Sequence, residues 1–340
     1  MEGFTVAAIN GRRFGPSRSR NAVLDSRAIP SPGGGVPNRW LRETEGFGSN
    51  PGALRMFWYA PSGLRPASPL VVVLHGWAQT AEGYDRGSGW SALAEREGFA
   101  VLFPQQQPQN NPHSCFTWFR RGDIGRGDGE ALSIRQMTED MIANQGIDRN
   151  RVFVTGLSAG GAMTNVMLAA YPEVFAAGAI IAGLPYGGAF NGLQAVQCMR
   201  YPSGRTPQEW GGRVRAASNH EGPWPRMSVW HGSADTTVVP ANADAIIAQW
   251  LDVHGIDGSI VSMPEPGTAG HRIWSDASGH ALVEEHRVIG MAHGTPIRTA
   301  GRAPGRGIAG PFFLDVGISS TLNIARAWDL LAVEGGDHGI

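Results

Sequence analysis

At 340 residues, 42% hydrophobic and 17% charged, the chain has the composition of a globular protein with a large core. Its formal net charge of −1 leaves no electrostatic footprint for a nucleic-acid partner, and no apolar run approaches the ~20 residues that span a bilayer. All 28 basic residues are arginine, which excludes a Schiff-base lysine, a Ser-Lys dyad and a P-loop lysine.

The two cysteines, Cys115 and Cys198, have no metal-ligand spacing. They form one disulfide or stay as buried thiols, and their separation in sequence decides neither. No metal and no cofactor are expected. The start, "MEGFTVAAINGRRF", lacks a charged segment followed by an apolar one, so no signal peptide is expected. That places the chain in the cytoplasm, unless a leader has been removed.

Residues 1–52 are rich in Gly, Pro, Ser and Arg and read as an irregular N-terminal extension packed on the main body, with a strand or two at most. Its arginine-rich patch, 11–20, reads as a solvated surface segment. Residues 53–340 read as a single domain. "LRMFWYAP" and "PLVVVLHG" are strands, the second typical of a buried parallel strand. "WSALAEREG" (90–98) is a helix with Ser88 as its cap, and "FAVLFPQ" is a strand. "ALSIRQMTEDMIANQG" (131–146) is an amphipathic helix stopped by Gly146. "VFVTGLSAGG" (152–161) is a strand, a sharp turn and a helix start. "GAIIAGLPYG" (178–187) is a strand, and 188–225 is an insertion over the sheet rather than a core element. "RMSVWHGSAD" (226–235) is a strand with a loop. "PANADAIIAQWLDVHG" is a helix opened by Pro240 and closed by Gly255. "LVEEHRVIGMAHG" (282–294) is the last strand, and "SSTLNIARAWDLLA" (319–332) the closing helix. Strands alternating with helices predict an α/β fold, a mostly parallel central sheet with helices on both faces.

Gly156-Leu157-Ser158-Ala159-Gly160 matches G-x-S-x-G between a β-branched run and a helix with apolar residues at spacings of three and four. A strand turning abruptly into a helix strains its middle residue, and neighbouring β-carbons would clash, hence the small residues. The turn exposes the Ser158 hydroxyl at a helix N-terminus, where backbone N–H groups favour negative charge. In parallel sheets, sites form at the carboxyl ends of strands. Ser158, Asp235 and His293 each follow a strand, in the chain order Ser, Asp, His expected of an α/β-hydrolase. Ser158 is then the nucleophile, His293 its base, and Asp235 the carboxylate that orients the imidazole. The oxyanion donors are the backbone N–H groups of Ala159 and of Trp77, in the loop after "LVVVLHG". Competing residues fit less well. His231 holds a loop, His286 is a satisfied strand residue, and His280 sits at the wrong end of a strand. His254 and His271 are helix-end or loop residues. Asp252 and Asp257 belong to a helix end and a turn, and Asp244 points off an exposed helix.

"VVVLHGWAQT", "CFTWFRRGD", "WHGSADTTVVP", "GMAHGTP" and the long block from Val152 to Gly187 together resemble the poly(3-hydroxybutyrate) depolymerase family of esterases, from about residue 54 to 332. The resemblance puts the family's nucleophile, acid and base on Ser158, Asp235 and His293, and an oxyanion donor on Trp77. It implies hydrolysis of poly(3-hydroxybutyrate) or related short-chain polyhydroxyalkanoates through an acyl-enzyme, with feruloyl or acetylxylan esterase activity as the alternative. A silent binding protein on the same fold is disfavoured by the complete Ser-Asp-His set. Many members carry a cysteine where this chain has Trp77, so a disulfide using that position cannot form. Trp77, Trp118 and Tyr186, beside strand ends, are the rings on which an apolar polyester is expected to rest. The expected partner is a polyester or small ester.

Overall fold

The computed structural model describes residues 41–256, 261–262, 270–300 and 307–332. The expectations for the arginine-rich patch and for Asp257 fall outside them.

The elements run β1 (Arg42–Thr44), β2 (Arg55–Tyr59), β3 (Ser68–Leu74), α1 (Ala81–Ser88), α2 (Trp90–Glu97), β4 (Ala100–Gln105), α3 (Arg121–Ile124), α4 (Gly129–Gln145), β5 (Ile147–Leu157) and α5 (Ala159–Ala170). They continue with β6 (Ala177–Ile181), α6 (Gly192–Arg200), α7 (Pro207–Arg215), β7 (Arg226–Gly232), α8 (Ala241–His254), β8 (Val261–Ser262), β9 (His271–Ser275), β10 (Ala281–Val288), β11 (Thr295–Ile297), β12 (Phe313–Asp315) and α9 (Ser320–Ala327).

Among the described residues ten strands form one sheet, in the order β1-β2-β4-β3-β5-β6-β7-β10-β9-β8. The centre, from β4 through β3, β5, β6 and β7 to β10, is parallel, and both edges are antiparallel. Strand β3 reads SPLVVVL and is buried throughout, because helices cover both of its faces. Its side chains divide by the two-residue period. Leu70, Val72 and Leu74 join Met137, Met163, Val166 and Trp250 in one core, against α4, α5 and α8. Val71 and Val73 join Tyr84, Trp90, Leu93, Ile324 and Trp328 in the other, against α1, α2 and α9. The expected α/β architecture is therefore observed. Among the described residues no helix is long and apolar enough to cross a membrane.

Several expectations change. Helix α1 was not foreseen: "AEGYDRGS" carries two glycines and a mostly polar face. It forms because the Thr80 hydroxyl caps it at Gly83 N and because Tyr84 is buried. Ser88 does not cap α2. It ends α1, its hydroxyl donating to Tyr84 O at 2.7 Å, and left-handed Gly89 lies between the two helices. The 188–225 region is more than a surface insertion, because it holds α6 and α7 and buries Trp210 and Val214. Strand β6 stops at Ile181, where Ala182 turns to φ 45°. Strand β10 stops at Val288, ahead of Gly290 at φ 71°, and it is not the last strand, since β11 and β12 follow as a separate parallel pair. The closing helix is shorter than expected, Ser320–Ala327. His271 lies in β9 rather than in a loop. Both cysteines are free and buried. Within 41–52, β1 pairs with β2, and Gly52 N donates to the Ser133 hydroxyl at 2.8 Å.

Candidate active site

Strands β3, β5, β7 and β10 run parallel, so the loops that follow them leave from the same end of the sheet. The turn after β5 is the tightest. A Cβ on Gly156 would lie 2.5 Å from the Gly160 carbonyl oxygen, and one on Gly160 would lie 2.2 Å from Leu74 O and 2.5 Å from His75 O. Only glycine lets β3, β5 and α5 approach so closely. Ser158 itself sits at φ 57°, ψ −114°, a strained conformation for a residue with a β-carbon. Two hydrogen bonds hold it there, Ser158 N to Ile181 O and Ala162 N to Ser158 O, each 2.8 Å. The Ser158 side chain does not cap α5, so the hydroxyl is not consumed by the helix it precedes. Helix α5 is buried on every side from Ala159 to Ala170, more than the one apolar face its periodicity suggests.

Asp235 lies just past β7 and is buried. Its Oδ1 accepts from Thr237 N and Val238 N, both at 2.9 Å. Its Oδ2 stands 2.7 Å from His293 Nδ1 and 3.4 Å from His231 Nε2. Burial alone would raise its pKa, but the two imidazoles and the Val238 N–H outweigh it and hold the carboxyl well below the usual range. The carboxylate is therefore the acceptor and His293 Nδ1 carries the proton, which leaves Nε2 with the lone pair. The loops bearing these two residues are tied together. Ser233 N donates to Val288 O, Ala234 N to Met291 O, and Gly290 N to the Ser233 hydroxyl. His231 is fully buried, and its Nε2 donates to Val238 O at 2.8 Å, closing the Asp235 loop as expected.

His75, at the end of β3, adds a part that sequence reasoning passed over. Its Nδ1 donates to Gly76 O at 2.7 Å, and its Nε2 accepts from Gln106 N at 3.1 Å. Burial lowers its pKa to about 4, so the ring is neutral. In a planar trans peptide the C=O and the next N–H point in opposite directions. By holding Gly76 O, His75 fixes the direction of the Trp77 N–H. The only local signal was a polar residue inside an apolar strand end.

The aromatic residues separate. Trp77 is 44% exposed, its ring tilted against His113 at 5.6 Å. Tyr186 is half-buried and packs against the core. Trp118 is 5% exposed and lies in the core, edge-on to Phe119 at 5.4 Å. Asp252 pairs with Arg215, Asp244 with Arg287, and His280 with Asp276, so each has a partner other than Asp235 or His293.

The family model described as esterase PHB depolymerase matches residues 55–263. The chain is 46% identical over 292 residues to poly(3-hydroxyalkanoate) depolymerase C of Paucimonas lemoignei, covering 86% of this chain and 70% of that one. It is 35% identical over 272 residues to an acetylxylan esterase of Coprinopsis cinerea, covering 77% and 71%. Among solved structures, an acetyl xylan esterase from Aspergillus awamori superposes with a TM-score of 0.69 at 30% identity, covering 74% of this chain and 93% of that one. The fold is that of an α/β-hydrolase-like esterase.

Proposed function

Because the chain belongs to the PHB depolymerase family of esterases and is thus a carboxylic ester hydrolase, we propose that Ser158, His293 and Asp235 carry its reaction. The observation that carries this reading is the 2.7 Å contact between His293 Nδ1 and Asp235 Oδ2, on the rim that also holds the strained Ser158 turn.

In the first step the Ser158 hydroxyl oxygen attacks the ester carbonyl carbon and its proton passes to His293 Nε2. Asp235 stabilises the imidazolium that forms. The carbonyl oxygen becomes an oxyanion, bound by the N–H groups of Trp77 and Ala159. The C–O bond to the alcohol breaks, and His293 returns its proton to the departing oxygen. In the second step water attacks the acyl-enzyme, again giving its proton to His293. The acid leaves and Ser158 is regenerated. Every proton stays within the Ser158–His293 pair, the substrate and water. The chain's own residues therefore balance the reaction.

The proposed substrate is poly(3-hydroxybutyrate) or a related short-chain polyhydroxyalkanoate. The 46% identity to a poly(3-hydroxyalkanoate) depolymerase supports it, as does the exposed Trp77 indole, which can carry an apolar chain. A second reading, acetylxylan esterase, is favoured by the structural likeness to such an enzyme. Clearing of a poly(3-hydroxybutyrate) film against release of acetate from acetylxylan separates them. Film clearing without acetate release is expected, and the reverse would transfer the chain to the second reading.

A further inference from the structure

The sheet edge opposite β1 carries a cluster that ester hydrolysis does not use. His271 of β9 and His286 of β10 stand directly opposite each other in the antiparallel ladder. Glu284 precedes His286 by two residues, so the strand period sets all three side chains on one face. His271 Nε2 lies 3.3 Å from Glu284 Oε2, and His286 Nε2 lies 3.4 Å from the same oxygen. One ligand atom from each residue falls within 4.8 Å of the other two, and all three side chains are partly buried.

These separations are long for charge-assisted hydrogen bonds, which run to about 2.7–2.9 Å. They match a different geometry: a tetrahedral ion with bonds of about 2.0–2.1 Å keeps its ligand atoms roughly 3.4 Å apart. His286 is a fixed ligand. Its ring lies flat on Trp230 at 3.7 Å and 6°. The His271 ring stacks on its other side at 4.2 Å and 20°. Stacked rings aim their lone pairs side by side, so an ion would draw the His271 ring, on the outer strand, into a tilt toward His286.

We propose that His271, Glu284 and His286 form a binding site for a zinc ion, with water in the fourth position. Two imidazoles and one carboxylate are a donor set suited to this borderline metal. Bound there, the ion joins β9 to β10 and fastens the outer strands to the sheet.

The test is titration of the metal-free full chain with zinc chloride by calorimetry at pH 7.5, beside thermal unfolding with zinc or with EDTA. One zinc per chain is expected, at micromolar affinity or tighter, with a rise in Tm that EDTA reverses. His271→Gln and Glu284→Gln should each weaken binding at least about tenfold and remove the rise, while turnover of p-nitrophenyl butyrate stays within about twofold of the wild type. Cobalt in place of zinc should give intense tetrahedral visible bands in the wild type, a readout that needs no variant. No zinc uptake below millimolar concentration would overturn the proposal. So would uptake that survives both substitutions.

Discussion

Replacing Glu130 by glutamine should flatten the protein's stability against pH. Glu130 is 2% exposed at the start of α4. Its Oε1 meets Gln106 Nε2 and the Thr117 hydroxyl, and its Oε2 accepts from Thr117 N at 2.8 Å. The Thr117 hydroxyl stands 2.6 Å from Glu130 Oε1 and 2.6 Å from Asp123 Oδ2. One hydroxyl has one proton, so two ionised carboxylates cannot both be satisfied, and a protonated Glu130 completes the network. Burial is the main cause of a pKa raised to about 8, from the ordinary glutamate value of 4.5. Between those values the folded chain binds the proton and the unfolded chain does not, so stability falls as pH rises from about 4.5 to about 8. At about 1.4 kcal/mol per pH unit the loss is roughly 5 kcal/mol at most. Glutamine cannot ionise. It sets an N–H group against the Gln106 amide, a cost of about 1 kcal/mol at every pH. Glu130→Gln should therefore be slightly less stable than the wild type at pH 5 and several kcal/mol more stable at pH 9. Urea unfolding of both proteins from pH 5 to 9 measures this. Parallel curves would refute a protonated Glu130.

Asp235→Asn should lower kcat by about 10⁴-fold with little change in KM, since the amide presents the wrong partner to His293 Nδ1; steady-state kinetics on p-nitrophenyl butyrate decide it. His75→Ala should cost roughly 10²-fold in kcat, because the Gly76–Trp77 peptide loses the contact that orients it. A loss confined to stability, with kcat unchanged, would return His75 to a packing role. The Cys115 and Cys198 thiols, pushed up by burial to about 12 and about 11, should ignore Ellman's reagent at pH 8 until the chain is denatured. Two thiols titrating in the native protein would contradict their burial.

What could be read from the sequence was what local chemistry dictates. Gly156 and Gly160 announce a close approach of backbones wherever they occur beside a serine, and Asp235 and His293 follow strands whose apolar patterns are plain. Tertiary facts stayed hidden. Trp77 and Trp118 look alike in sequence, and only packing leaves one exposed and buries the other. His75 depends on Gln106 N, supplied by the loop after β4. His271 and His286 meet only through strand pairing. Helix α7 could have been seen: Thr206-Pro207-Gln208-Glu209 is a capping box with proline in the first turn, but the turn-forming residues around it read as an insertion over the sheet.

The most direct test of the account is the site at which a serine-directed phosphonate ester attaches, located by peptide mass spectrometry. One adduct per chain is expected, on Ser158, forming far more slowly in Asp235→Asn. An adduct on any other residue, or equally rapid labelling without the Asp235 carboxylate, would contradict it.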